Sequence, residues 1–61
     1  MRLRQAAQLH NRDEVKVRTR DGKDWEQGYV LGNVRQVDGR IIVPVSTPSY
    51  GFREVDHVDV R

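Results

Sequence analysis

A chain of 61 residues has room for one domain and one core, and a domain of that size buries only about 60% of the surface its unfolded form exposes. The sequence holds no cysteine, which excludes a disulfide framework and a thiolate metal site, and no apolar run approaches the ~18 residues of a membrane helix. Eleven Lys and Arg face nine Asp and Glu, for a net charge of +2, so the placing of the charges says more than their sum.

Seven of the eleven cations lie in the first 23 residues: Arg2, Arg4, Arg12, Lys16, Arg18, Arg20 and Lys23, diluted by Asp13, Glu14 and Asp21. Residues 1–11 carry Leu3, Ala6, Ala7 and Leu9 at spacings that fit a turn or two of helix with one weak apolar stripe. So short a segment does not hold a helix alone, and residues 1–12 are expected as an extension over one end of the domain. Residues 14–20 alternate: Val15, Val17 and Thr19 on one side, Glu14, Lys16, Arg18 and Arg20 on the other. That is an antiparallel strand with one wet face. Asp21 to Asp24 supplies a turn.

A long strand is predicted from Trp25 to Val37. Gly28 and Gly32 interrupt it, and glycines within a strand mark a bend, a bulge or a close backbone approach. Asp38-Gly39 between apolar strands predicts a hairpin with a type I′ turn, which needs φ > 0 at both central residues. In the strand that follows, Ile41, Val43 and Val45 share a face. Pro44 has no amide hydrogen to donate, so this strand is expected to be an edge, or to stop pairing, at that point. Ser46 to Gly51 reads as a loop, Phe52 to Val55 as a short strand, Asp56-His57 as a tight turn and Val58 to Val60 as a closing strand. The expected core is Val15, Val17, Val30, Val34, Ile41, Val43, Val45, Phe52, Val55, Val58 and Val60. Five short strands with tight turns, in a chain too short for two full sheets, predict an all-β fold: a small five-stranded barrel over residues 13–61.

The series Val15-x-Val17, Asp21-Gly22, Trp25-x-x-Gly28-x-Val30, Asp38-Gly39-Arg40, Val43-x-Val45 and Val58-x-Val60-Arg61 resembles the SH3-like barrels of the Tudor and agenet type, over roughly residues 13–61. The resemblance implies a domain that reads methylated Lys or Arg in an aromatic cage, or that binds peptides or nucleic acid on its surface. By position, Trp25 would be one wall of such a cage, Tyr50 or Phe52 another, and Glu26 or Asp24 the acidic complement of the cation. The small plasmid-type dihydrofolate reductases share a W-x-G-like segment, but this chain lacks their V-Q-I-Y stretch, and that activity is not expected.

Three functions follow as expectations. The first is a non-catalytic module binding a protein or peptide through an aromatic rim of Trp25, Tyr29 and Tyr50, with Glu26 and Asp24 facing a basic partner. The second is non-specific nucleic-acid binding through Lys16, Arg18 and Arg20 on the first strand, with Arg35 and Arg40 beside them. The third is a structural protein that self-associates through the edge near Pro44 or through the N-terminal segment. His10 and His57 form no triad or metal spacing with their neighbours, and no glycine motif cradles a phosphate, so no catalytic residue, metal or cofactor is expected. With Met1-Arg2-Leu3-Arg4 at its start and no apolar h-region, the chain is expected to be cytoplasmic, with no membrane partner.

Overall fold

The computed structural model describes all residues from Met1 to Arg61. A short helix α1 (Leu3–Ala6) precedes β1 (Glu14–Arg18), β2 (Trp25–Val30), β3 (Arg35–Val37), β4 (Arg40–Thr47) and β5 (Gly51–Asp56), and a 3₁₀ turn (His57–Asp59) follows β5. The five strands form one antiparallel sheet. β4 is its spine. Along one side β4 pairs with β5, from Ile42↔Asp56 to Thr47↔Gly51. Its other side is shared by β2, at Val30↔Val45, and β3, at Arg35↔Ile42. β1 pairs with β2 from Glu14↔Tyr29 to Arg18↔Trp25.

The strand expected from Trp25 to Val37 is therefore two strands, broken at residues 31–34 where Gly32 takes a φ of +112°. The Gly32 amide donates to the Asn11 side chain at 2.9 Å instead of to a strand. The Asp38-Gly39 hairpin forms as predicted, with φ of +50° and +79° at the two turn residues and Val37 opposite Arg40.

Of the two expectations for Pro44, an edge or a stop in the pairing, the second holds on one side only. Pro44 sits in the central strand, opposite Glu54 of β5, while on its other side the ladder with β2 ends at Val45 and that with β3 begins at Ile42. In an antiparallel strand a residue's N–H and C=O point to the same side. The Pro44 carbonyl accepts from Leu31 at 2.9 Å, so the position of its absent N–H faces the break between β2 and β3, where no ladder partner waits for it. The break and the proline accommodate each other, and β4, with β5 on one side and β2 and β3 on the other, is not the edge strand expected for self-association.

Val15, Val17, Val30, Ile41, Val43, Val45, Val55 and Val60 form the core as expected, and Val34 packs partly buried against it. Phe52 and Val58 do not: they are 60% and 48% exposed. Phe52 lies three residues before Val55, and a strand of period two cannot turn both to one face. The register pairs Val55 with the buried Val43, which sets Phe52 opposite Ser46 on the outer face. Val58 is turned out because the expected closing strand is a 3₁₀ turn, capped by the Asp56 side chain accepting from the Val58 amide at 3.1 Å. His57 takes the inward position in its place. Ala6, fully buried, and Thr47 join the interior from segments expected to be peripheral.

After the turn the chain returns to β1 through one bridge, Val17↔Val60. The Lys16 amide donates to the Arg61 carbonyl at 3.1 Å, and the Arg61 amide donates back at 2.7 Å. The Met1 nitrogen donates to the His57 carbonyl at 3.0 Å, and the His57 Nδ1 lies 2.8 Å from the Met1 carbonyl. The two ends of the chain thus lie side by side. No helix is long and apolar enough to cross a membrane.

Candidate functional site

The loop from Thr19 to Asp24 decides where the aromatic and basic side chains meet. It is held by its own hydrogen bonds: Thr19 donates its amide to the Asp24 carbonyl at 2.9 Å and its hydroxyl to Asp21 at 2.7 Å, and the Lys23 amide donates to Asp21 at 3.0 Å. These bonds to the Thr19 hydroxyl and the Lys23 amide hold the Asp21 carboxyl below its ordinary range. The loop returns the chain so that Trp25 opens β2 directly opposite Arg18, the last residue of β1.

Two guanidiniums lie over the Trp25 ring, Arg18 at 4.6 Å and Arg61 at 4.4 Å from its centroid. Arg61 arrives there because Val60 and Arg61 pair with β1. Two more lie over Tyr50 in the β4–β5 turn, Arg20 at 4.8 Å and Arg53 at 4.9 Å. The Arg53 guanidinium also donates to the Arg18 carbonyl and so ties the two stacks together. The result is a row at one end of the sheet in which each of two aromatic rings carries two arginines.

Only Arg18 of these four has a carboxylate partner, Asp59 at 3.2 Å. No carboxylate oxygen lies within 4.0 Å of the Arg20, Arg53 or Arg61 side-chain nitrogens. A guanidinium lying on a ring keeps its in-plane N–H groups available, and its planar fork matches a phosphate or carboxylate.

The residues predicted from sequence fall into three groups. Trp25, Tyr50, Arg18 and Arg20 come together in the row. Tyr29 and Lys16 stand on the outer face of the sheet, since their strand neighbours Val30, Val15 and Val17 are buried. Arg35 and Arg40 lie near the other end of β4 and are committed to ion pairs with Glu54 and Asp56. The bond from Arg40, with a second from the Val58 amide, holds the Asp56 carboxyl below its ordinary range. The acidic residues are also engaged: Asp24 accepts from the Trp25 amide at 2.8 Å, and Glu26 accepts from the Ser49 amide at 3.2 Å and from its hydroxyl. Arg53 and Arg61 were not singled out as site residues from sequence. Arg53 could have been found from strand parity, because it shares the phase of Val55; nothing local in the sequence reveals that Arg61 reaches Trp25.

Two shallow hollows flank the β4–β5 turn. One is lined by Thr19, Arg20, Asp21, Asp24, Ser49 and Tyr50. The other, about 390 Å³, is lined by Gln27, Tyr29, Ser46, Thr47 and Pro48. Both are open to solvent. Comparison with protein-family models, with curated proteins and with solved structures gives no match.

Proposed function

We propose that this chain is a non-catalytic binding module of the SH3-like barrel kind, and that its ligand is a nucleic-acid strand met by the row of stacked arginines. The single bridge between Val17 and Val60 supports the barrel reading, because it brings the chain end back to the first strand. The observation that carries the function is the pair Arg20 and Arg61, each stacked on an aromatic ring with no carboxylate partner, while Arg53, its Nε buried and its guanidinium bonded to the Arg18 carbonyl, braces the row. Stacking fixes each guanidinium in orientation, so less side-chain entropy is lost when it meets a phosphate.

The row also weighs against a cage for a methylated side chain and against a basic peptide as the partner. Trp25 and Tyr50, two of the rings expected in the cage, are covered by the protein's own cations. An incoming cation must displace contacts worth about 0.5–1 kcal/mol each at exposed sites. The two carboxylates that would attract it are hydrogen-bonded within the fold.

The test is retention of a fluorescent oligonucleotide measured against salt. Contacts from Arg20 and Arg61, with or without Arg18, to a single strand predict a slope of log affinity on log salt of roughly −1.5 to −2. Replacing Arg20 and Arg61 together by alanine should reduce that slope by more than one. Absence of binding at about 50 mM salt, the low end of the range over which such contacts are strongest, refutes the proposal.

A further inference from the structure

The outer face of the sheet carries a second feature that the arginine row does not use. Tyr29 is paired with Ser46, and Ser46 with Phe52, in one continuous row across β2, β4 and β5. Directly opposite residues in an antiparallel sheet share a face, and Val30 and Val45 beside them are buried, so all three side chains stand outward. Tyr29 and Phe52 are thus two exposed aromatics separated by one small serine, with backbones about 9.5 Å apart, two strand spacings. They are 47% and 60% exposed.

Tyr29 is held in place. Its hydroxyl accepts from the Gln27 side chain at 3.1 Å, and the same Gln27 amide group donates to Glu14 at 2.8 Å. Lys16 stands opposite Gln27 on the same face, with no carboxylate within 4.0 Å of its ammonium. The hollow between Tyr29 and Pro48 is separated from the Arg20–Tyr50 hollow only by the β4–β5 turn, Pro48 to Tyr50. Tyr29 thus lines the hollow on one side of that turn, and Arg20 and Tyr50 line the hollow on the other.

We infer that the ligand is a single strand, and that Tyr29 and Phe52 are a stacking platform for its unpaired bases while Lys16 and the arginine row hold its phosphates. This rests on the nucleic-acid reading above and narrows it to one substrate class. Rings standing on an exposed sheet face stack on bases whose own faces are free. In a duplex those faces are covered by the neighbouring base pairs, so the platform has nothing to meet. Stacking tolerates every base, which predicts little sequence preference.

The experiment is fluorescence anisotropy of the full chain with a labelled 12-nucleotide single strand and with the duplex of the same sequence, from low to moderate salt. The expected result is that the single strand binds at least about 10-fold tighter than the duplex, and that Tyr29→Ala and Phe52→Ala each weaken it by about 5- to 100-fold. The salt slope should not change in these variants, because they remove no charge. Tyr29→Phe, which keeps the ring, should bind within about 3-fold of the parent on the same stacking argument. Thermal melts of the four proteins establish that the exposed substitutions leave the fold in place. Equal binding of strand and duplex, with the Tyr29 and Phe52 variants unaffected while Arg20→Ala weakens both, overturns the platform and leaves the arginine reading standing. No binding of either at low salt overturns both.

Discussion

At Gly28 the backbone of β2 leaves no room for a side chain against the end of β4, and replacing it by alanine measures that approach. A Cβ built on Gly28 would lie 2.8 Å from the Ser46 carbonyl oxygen, 3.0 Å from Thr47 Cγ2 and 3.2 Å from Val17 Cγ2. The first contact is with main chain in the spine of the sheet, which cannot swing away, and the other two are with buried side chains. The φ of Gly28 is outside the left-handed region, so the cost is steric and not conformational. Overpacking of this kind costs about 1–3 kcal/mol. A domain of this length has roughly 3–9 kcal/mol of stability in all. At about 4–8 °C per kcal/mol for small domains, Gly28→Ala should lower the melting temperature by roughly 5–20 °C, read by circular dichroism with a urea titration beside it. A melting temperature within about 2 °C of the parent, well below the shift that 1 kcal/mol produces, would mean that β2 and β4 are farther apart than described, and the register that brings Tyr29 beside Ser46 and Phe52 would go with it.

Two further outcomes follow from groups elsewhere in the fold. The Thr47 hydroxyl is buried with no hydrogen-bond partner. Thr47→Val replaces it by a methyl of the same shape and should raise stability by about 1 kcal/mol in urea titration; a loss would show that the hydroxyl is satisfied. Asp56 and Asp21 titrate below the ordinary carboxylate range in the folded protein, through bonds from Arg40 and from the Thr19 hydroxyl respectively. Both bind protons more weakly folded than unfolded, so their contribution is complete above the unfolded value of about 4. It is lost as pH falls through the lower native values. Stability should hold from neutral pH down to about 4 and decline below it, and Asp56→Asn should flatten that acid limb; an unchanged limb would remove the Arg40–Asp56 pair as its cause.

The alternation of β1, the Asp38-Gly39 hairpin and the valine-rich inward face of β4 were legible because each is fixed by short-range rules. These are the period of a strand, the positive φ that a two-residue turn demands and the burial of branched side chains. The same rules, applied strictly, would have placed Phe52 outside, since it is out of phase with Val55. Three outcomes lay beyond them. That Pro44 could occupy the central strand depended on a break in a neighbouring strand, which is a property of the pairing and not of the proline. That Val58 to Val60 would make a turn and a single bridge depended on where β5 left the chain relative to β1. The arginine row depended on four cations from β1, the following loop, β5 and the last residue converging on two rings from a loop edge and a hairpin turn. Composition and order supplied the strands and their inward faces; which cations were neutralised, as Arg35 and Arg40 are, and which were left stacked and unpaired, as Arg20 and Arg61 are, was decided only by folding, because ion pairing and stacking depend on distances across the sheet that no local pattern encodes.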